Sequence, residues 1–401
     1  MLSVEEARER ILAPLKPTPA EVVALSQAFG RVTAQPIVAR RTQPPCDISA
    51  MDGFALRAEA GAIGARLRVI GSTPAGHPFA GRVAPGEAVR VFTGSVMPEG
   101  TDAVLLKEDA ADAGSSIVVG EAVSAGRFIR RAGQDFSEGA ALLPEGRRLT
   151  ARDVGLAAAA NFPWIAVRRM PKVAILATGD EIGLPGETVP PGGIVSSNAH
   201  ALAALVRAGG GEPVVLPIAP DDAAAIAEAA HAAHGLDLLV TTGGASVGDH
   251  DLVQAGLRRL GFVLDFWKVA MRPGKPLIAG RVGEVPMLGL PGNPVSALVC
   301  AVLFLLPALA RLSGLAGGGP PTEVALLGSA LGANDGRADH LRAKLSVNDH
   351  GRLVATAFPR QDSSLMRLLA EADALIVRPP HAPALAKDSV VPVIRLDRLG
   401  I

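Results

Sequence analysis

A chain of 401 residues is too long for one ordinary hydrophobic core, so two to four domains are expected. Lysine plus arginine and aspartate plus glutamate both number 39, and aromatic residues make up 3% of the chain. A chain with no net charge and few stacking side chains is not expected to bind nucleic acid.

The same composition argues against export and against a membrane anchor. The first residues are polar and acidic, unlike a secretory signal. The most apolar run, 295–310, covers about 16 residues, whereas a bilayer span needs about 20, so a buried helix is expected. Two distant cysteines, Cys46 and Cys300, lack metal-ligand spacing and favour a reducing compartment. We therefore expect a soluble, cytoplasmic protein without a membrane partner.

The N-terminal half of the sequence changes its pattern twice. Apolar residues recur at helical spacing from Val4 to Leu12 and again from Val22 to Leu25, on either side of Pro17-Thr18-Pro19. Short β-like runs punctuated by Gly and Pro then extend from Val38 to about Glu138, which predicts a small β-rich domain. A helix-like connection follows at 150–160.

Strands and helices alternate from Lys172 onward. Strands are predicted at 173–177, 213–218 and 237–241, with helices over 197–208 and from 221 onward. This alternation predicts a parallel sheet with helices on both faces, whose ligands bind beyond the carboxyl ends of the strands. After a Gly/Pro linker at 316–321, β-like runs at 375–377 and 390–394 predict a small C-terminal β domain.

The expected fold class is therefore a multidomain α/β protein. We assign an elongated N-terminal linking region to 1–43 and 137–170, and an inserted β-rich domain to 44–136. The α/β domain is assigned to 171–315 and the C-terminal β domain to 320–401.

Three pairs of acidic residues follow strands or turns in the α/β domain. They are Asp180 and Glu181, Asp221 and Asp222, and Asp249 and Asp251. The helix after the first pair begins too late to be capped by it, which favours a function. Capping explains one member of each of the other two pairs. Carboxylates beside a glycine-rich turn are a common means of holding Mg²⁺ against phosphate oxygens.

Glycine turns and fixed cations lie within about fifty residues of one another. The first turn contains Gly243, Gly244, Ser246 and Gly248, and the second contains Pro291, Gly292 and Asn293, followed by Ser296 at the start of the long apolar helix. Glycines free backbone N–H groups to face an anion, and a helix N-terminus favours negative charge. Arg272 and Lys275 bracket the rigid bend Pro273-Gly274, which presents both cations on one loop. These residues predict a site for a phosphorylated or oxyanionic small molecule.

The polar residues of the β-rich domain are weaker signals when each is considered alone. Asp52 precedes Gly53, and an Asp-Gly turn is the simpler explanation. Thr93 and Asp135 also lie beside glycine turns. The eight histidines show no pairing typical of a transition-metal site, and the sequence has no GxSxG, HExxH or Walker lysine motif.

Seven motifs nevertheless occur in one fixed order along the chain. They are Ser49-Ala50-Met51-Asp52-Gly53, Phe92-Thr93-Gly94, Gly133-Gln134-Asp135, Thr178-Gly179-Asp180-Glu181, Gly243-Gly244-Ala245-Ser246-Val247-Gly248, Arg272-Pro273-Gly274-Lys275-Pro276 and Leu290-Pro291-Gly292-Asn293-Pro294-Val295-Ser296. This set resembles the molybdopterin molybdenumtransferase family, whose animal relatives include the C-terminal part of gephyrin. The resemblance covers essentially the whole chain.

The resemblance implies an elongated homodimer of four-domain subunits whose parallel-sheet domain binds molybdopterin. It implies that adenylyl-molybdopterin and molybdate are converted, with Mg²⁺, into molybdenum cofactor and AMP. The site would lie between the sheet and C-terminal domains of one subunit and the β-rich domain of the other.

The resemblance also implies roles for individual residues. Asp52, Thr93, Asp135, Glu181, Asp221 and Asp251 would be catalytic. Arg272, Lys275, Ser296, Arg342 and Ser363 would bind molybdate. Gly243, Gly244, Ser246, Gly248, Pro291, Gly292 and Asn293 would bind the molybdopterin compound. Asp180, Glu181, Asp249 and Asp251 would surround Mg²⁺. Arg272 stands where the family often has Lys, which keeps the charge but changes the donor geometry.

Two alternatives remain open at this point. A molybdopterin adenylyltransferase would share the sheet domain but would not need the first 160 or so residues or the C-terminal domain. A gephyrin-like scaffold could lose the carboxylates and cations that this chain retains. The sequence does not distinguish molybdate from tungstate, and it leaves open whether a separate adenylyltransferase is a partner that delivers the substrate.

Overall fold

The computed structural model describes residues 1–189, 191–243 and 252–400. The N-terminal linking region is formed by the helices Val4–Leu12 and Ala151–Ala159 and by the strands Ala20–Ala24, Ile37–Val38, Ala141–Leu143 and Trp164–Arg168. The first helix begins with a capping box in which Ser3 and Glu6 exchange hydrogen bonds. Its buried face packs against the core of the α/β domain.

The helix expected over Val22 to Leu25 is wrong, because Ala20–Ala24 is a strand. It pairs antiparallel with Trp164–Arg168, so Val23 lies in the core while Val22 is 68% exposed. Adjacent β-branched residues favour an extended backbone, and pairing with a distant strand decided the outcome.

The β-rich domain is built on a six-stranded sheet, as the β-like runs predict. In spatial order its strands are Ala103–Leu106, Gly53–Leu56, Glu87–Val91, Arg66–Thr73, Ser116–Val119 and Ala110–Asp112. A separate pair is formed by Ile48–Ser49 and Ile129–Arg130. The side chains of Leu67, Leu105 and Ile117 are fully buried in the core of the β-rich domain. Asp52 and Thr93 lie just beyond the ends of two adjacent strands of this sheet.

The α/β domain contains a mixed six-stranded sheet. In spatial order its strands are Glu212–Val215, Lys172–Ala177, Leu238–Thr242, Val285–Leu290, Ile278–Val282 and Phe262–Phe266. The first four are parallel and the last two are antiparallel. The described helices are Asn198–Ala208, Ala223–His231, Leu252–Arg258 and Pro294–Cys300 with its continuation. Hydrophobic clusters on both faces confirm the predicted sheet between helices, to which a hairpin adds the antiparallel edge.

One long helix, Pro294–Leu312, occupies the centre of the largest core. Its 19 residues contain an 18-residue window with a mean hydropathy of 2.3, so the helix is long and apolar enough to cross a membrane by length and composition alone. Here 78% of the apolar window is buried within the protein, as in the core helix of a folded domain. The turn Ala301–Leu305 is a π-helix that ends two residues before Pro307. A wider turn accommodates a residue that has no amide hydrogen to donate.

The C-terminal domain is a small β structure that closes on itself. Its strands are Glu323–Leu327, Ala338–Val347, Leu353–Ala357, Ala374–Arg378 and Val390–Arg395, with one short helix, Met366–Ala370. The strand Ala338–Val347 pairs with two neighbours and closes the sheet. Its first residues also pair in parallel with Met271–Arg272, a short strand contributed by the α/β domain.

A second capping box fixes the helix Ala151–Ala159. Thr150 and Asp153 exchange hydrogen bonds, and Arg147 donates to the buried Asp153 carboxylate over 3.0 Å. Burial opposes ionisation of Asp153, but the hydrogen bonds from Arg147 and Thr150 outweigh it and lower the pKa of this carboxyl to about 2. The ionised form is therefore favoured by folding.

We expect Asp153→Asn to destabilise the folded protein by roughly 1 to 3 kcal/mol near neutral pH, because a cap and an ion pair are weakened together. The folded-state pKa lies below the unfolded value, so this stabilisation is present above about pH 4 and is lost as the pH falls toward 2. The melting-temperature difference between wild type and variant, followed by circular dichroism, should therefore shrink with acid. Glu284→Gln, at a fully exposed side chain, is the control. A difference independent of pH would contradict this account.

Candidate functional site

A cavity of about 1130 Å³ lies between the α/β domain and the C-terminal domain. It opens at the carboxyl ends of the strands Lys172–Ala177 and Leu238–Thr242, where ligands of such sheets bind. Its lining residues are 177, 181–182, 194–198, 242–243, 271–276, 291–294, 296, 337, 361–364 and 366. Three separate sequence regions that predicted an anion site therefore converge on one cavity.

Close packing at the strand ends requires glycine. Gly243 has φ +93°, and a Cβ atom there would lie 2.5 Å from the carbonyl oxygen of Thr178. A Cβ atom on Gly292 would lie 3.6 Å from the Cα of Gly243. The two glycine turns thus lie close together, and a side chain at Gly243 would clash with the backbone of Thr178.

Asn198 joins these turns and was missed by the sequence analysis. Its side-chain amide donates to Thr242 Oγ1 and to the carbonyl oxygen of Gly292, each over 2.8 Å. It lies in the first turn of the predicted helix, and the polar run Ser196-Ser197-Asn198 at that helix start was the available signal. The hydrogen bonds fix the turn 291–293 against the strand end.

The loop 272–276 carries the two predicted cations. Arg272 and Lys275 are exposed and line the cavity. Between them, Gly274 has φ +106° and packs on the buried Cys300, so that an added Cβ would overlap the sulfur. Within the described parts of the chain, Lys275 has no ion-pair partner, whereas Arg272 is paired with carboxylates of the C-terminal domain.

The start of the helix Pro294–Leu312 forms the adjoining wall. Ser296 lines the cavity with a side chain that is largely buried. Asn293 donates from its side-chain amide to the hydroxyl of Ser363 over 2.9 Å. The backbone N–H of Val295 donates to the carbonyl oxygen of Ser363 over 3.1 Å. The C-terminal domain is thereby attached to the helix N-terminus, and Ser363 lies at the cavity as the resemblance implies.

Arg342 has a different place from the one expected of a molybdate ligand. It is 1% exposed and does not line the cavity. Its guanidinium donates to the carbonyl oxygens of Arg360, Asp362 and Leu365, and to the side chain of Gln361. Arg342 therefore positions the loop that carries Ser363.

The third cation at the cavity is Arg337, which the sequence analysis missed. It lies just before the strand Ala338–Val347, whereas Arg342 lies within that strand. Both arginines belong to the same Arg-rich segment, and sequence alone does not show which guanidinium is already satisfied by backbone carbonyls.

The predicted acidic residues are only partly brought together. Glu181 is exposed and lines the cavity. Asp180 accepts a hydrogen bond from the backbone N–H of Asp221 over 2.9 Å, and neither side chain lines the cavity. Asp222 caps the N-terminus of the helix Ala223–His231, which is the structural role that helix capping predicts for one member of its pair. The predicted residues Gly244, Ser246, Gly248, Asp249 and Asp251 lie outside the described residues.

The donor chemistry of this edge is compatible with Mg²⁺. Carboxylate oxygens, such as those of Glu181, are the hard donors that Mg²⁺ prefers, and the ion binds through one or two carboxylates together with substrate phosphates. Residues 1–189, 191–243 and 252–400 contain no cluster of three or more His, Cys, Asp or Glu side chains that could hold a metal ion.

The β-rich domain holds its predicted residues away from this cavity. The backbone N–H and the hydroxyl of Thr93 donate to Asp52 Oδ1 over 2.7 and 2.8 Å. These bonds, the backbone one first, lower the pKa of the Asp52 carboxyl. Asp135 is exposed on a neighbouring turn of the same domain. None of the three lines the cavity of its own chain.

Comparisons with known proteins show which family this chain resembles. Family models match residues 2–161 (MoeA N-terminal region, domains I and II), 174–311 (probable molybdopterin binding domain) and 324–396 (MoeA C-terminal region, domain IV). Molybdopterin molybdenumtransferases from a Nostoc species and from Haemophilus influenzae are both 34% identical, covering 94% of this chain and 88% and 94% of their own lengths. Two crystal structures of a molybdopterin biosynthesis MoeA protein from Pyrococcus horikoshii have TM-scores of 0.85 and 0.84 at 30% and 28% identity, covering 98% of this chain and 99% of theirs.

We expect Gly274→Ala to be more destabilising than Gly283→Ala. Both glycines have positive φ, but only the new methyl group at 274 would overlap a buried neighbour, the Cys300 sulfur. Backbone strain costs about 1 kcal/mol in either variant, and the clash should add roughly 1 to 3 kcal/mol at 274. Denaturant unfolding of the two variants measures the difference. Equal destabilisation would show that the loop is not held by this contact.

Proposed function

Because this chain belongs to the molybdopterin molybdenumtransferase family, we propose that it transfers molybdenum from molybdate to adenylyl-molybdopterin, with release of AMP. The observation that supports this most directly is the cavity between the α/β and C-terminal domains, where cations, hydroxyls and glycine turns converge. Matches to all three family regions disfavour an adenylyltransferase built on the sheet domain alone.

Molybdate is a tetrahedral dianion, and the cavity supplies donors suited to it. Lys275 offers a point charge, Arg272 and Arg337 offer guanidinium edges, and Ser296 and Ser363 offer hydroxyls. Charge-assisted hydrogen bonds are about twice as strong as neutral ones, so these residues would bind the oxyanion and orient it. Arg342 would act indirectly, by holding the loop of Ser363.

The glycine turns would hold the molybdopterin compound beside the oxyanion. Gly243 and Gly292 leave room for close approach of a phosphate to the backbone, and the hydrogen bonds of Asn198 hold the two turns beside each other. Glu181 and, as we propose, Asp180, Asp249 and Asp251 would place Mg²⁺ at this edge. When bound, Mg²⁺ would neutralise the charge that develops on the phosphate oxygens as AMP leaves. A separate adenylyltransferase would supply the adenylylated compound.

We further propose that the working form is a cytoplasmic homodimer in which the β-rich domain of one subunit completes the cavity of the other. Asp52 is held by Thr93 in a fixed orientation at the surface of the β-rich domain, yet it does not line the cavity of its own chain. A second copy is the simplest source of the missing partner surface.

We expect Lys275→Ala to raise the KM for molybdate roughly 10- to 100-fold, because a charge-assisted hydrogen bond contributes about 1.5 to 3 kcal/mol. The assay is AMP release from adenylyl-molybdopterin with Mg²⁺ and increasing molybdate. Lys387→Ala, at an exposed turn of the C-terminal domain, removes the same charge outside the cavity and is the control. A normal KM in Lys275→Ala would remove this lysine from the oxyanion site. AMP release that does not depend on molybdate would contradict the transferase.

Mixed dimers test the shared site. At a molybdate concentration well below the raised KM, we expect Asp52→Asn and Lys275→Ala to be nearly inactive separately and to recover about a quarter of wild-type activity when co-expressed, because half of the dimers would then carry one intact site of two. Co-expression of Arg272→Ala with Lys275→Ala is the control, since both changes fall on the same cavity and no intact site can form. Absence of recovery in the first pair would mean that the two residues serve one chain.

A further inference from the structure

One carboxylate, Asp335, is shared by two of the three cations at the cavity. Arg337 donates to it from Nη2 over 2.7 Å and from Nε over 3.2 Å. Arg272, from the α/β domain, places its Nη2 at 3.3 Å from the same Oδ2 atom. The Nε of Arg272 donates to Asp339 over 2.9 Å. A network of two arginines and two carboxylates therefore spans the domain boundary beside Lys275.

The loop that carries Asp335 is held rigidly. Asn334 donates from its side chain to the carbonyl oxygens of Arg337 and Pro379 over 3.0 and 2.9 Å. The backbone N–H of His381 donates to the carbonyl oxygen of Asp335 over 2.8 Å. Hydrogen bonds from Arg337 lower the pKa of the Asp335 carboxyl to about 2, so it is ionised at neutral pH. A fixed anion thus lies beside the cations that the proposed substrate needs.

The two contacts of Asp335 differ in strength. The contact with Arg337 is short and uses two nitrogens, whereas the contact with Arg272 is single and long. Arg272 makes no hydrogen bond through Nη1 to any residue in 1–189, 191–243 or 252–400, and only its Nε is held firmly, by Asp339. Of the two Arg272 nitrogens that contact a carboxylate, Nη2 is therefore the one that an incoming oxyanion could take over at the lower cost.

We propose that Asp335 is a positioning residue that binds the guanidinium of Arg272 and gives up this contact when the oxyanion binds. By competing with the oxyanion for Arg272, Asp335 weakens oxyanion binding and promotes oxyanion release. The proposal rests on the proposed function and concerns the same cavity. Asp339 holds the Nε of Arg272, while Asp335 occupies its Nη2 group until the oxyanion binds and afterwards remains with Arg337.

The charges around Asp335 explain why this carboxylate is expected to weaken oxyanion binding. Within this group of described side chains, Arg272, Arg337 and Lys275 contribute three positive charges, and Asp335 and Asp339 contribute two negative ones, which leaves the group with one net positive charge. Neutralising Asp335 would leave two, and would free a guanidinium edge. An ordinary surface ion pair would instead change binding very little.

The test is titration calorimetry of the full-length protein with molybdate and, separately, with sulfate at low ionic strength. We expect Asp335→Asn to bind both oxyanions about three- to tenfold more tightly than wild type, with a smaller gain at high salt. Asp349→Asn removes the same charge from the far end of the Ala338–Val347 strand and should leave both affinities unchanged. Unchanged or weaker binding in Asp335→Asn would overturn the proposal, and a gain cannot arise from damage to the fold.

The same substitution in an Arg272→Lys protein distinguishes two explanations of tighter binding. One is the handover, in which the Arg272 guanidinium passes from Asp335 to the oxyanion, and the other is a general effect of the lost charge. In an Arg272→Lys protein, the lysine cannot present a forked edge to two carboxylates, so Asp335→Asn should then tighten binding only through the lost negative charge, and by less than in the Arg272 protein. A full gain in that background would overturn the handover. Failure of wild type and variant to bind either oxyanion would overturn it as well. Tighter binding in Asp335→Asn without any molybdate-dependent AMP release would support Asp335 in this role and refute the transferase.

Discussion

The parallel pairing of Met271–Arg272 with Ala338–Asp339 is the constraint on which the cavity depends. Two residues of the α/β domain extend the sheet of the C-terminal domain, with a register fixed by backbone hydrogen bonds. The C-terminal domain cannot shift along this strand without moving the loop of Lys275. A second attachment, between Ser363 and the start of the buried helix, holds the opposite wall. The cavity walls contributed by the α/β domain and by the C-terminal domain are thus attached to each other at two places.

The buried helix Pro294–Leu312 transmits this rigidity to both loops. Its N-terminus forms part of the wall, and Cys300, about two turns further on, supports Gly274 from below. Burial raises the pKa of the Cys300 thiol, so the side chain behaves as a small apolar residue. The apolar sequence that resembles a membrane span is explained by this position, because a helix surrounded by core must be apolar on every side.

Much of the fold and part of the site could be predicted from the sequence, for identifiable reasons. Periodic apolar residues indicated the parallel strands, and glycine turns indicated where they end. The rest depended on long-range pairing. Arg337 and Arg342 are five residues apart and chemically identical, and only the fold shows that carbonyl oxygens of the 360–365 loop already satisfy the second. Asn198 acts through contacts about 44 and 94 residues away, which no local pattern reveals.

The separation of acidic and basic groups resolves a conflict within the proposed chemistry. A dianion requires cations, whereas Mg²⁺ requires carboxylates, and the two sets neutralise each other when they meet. Lys275 and Glu181 lie on different loops that line the cavity. Asp52 lies in another domain and outside the cavity of its own chain, so it would contribute only to the cavity of a second subunit. Asp335 and Asp339 are exceptions, since they are carboxylates placed directly among the cations. A fixed anion in that position is expected where the substrate must leave as well as bind.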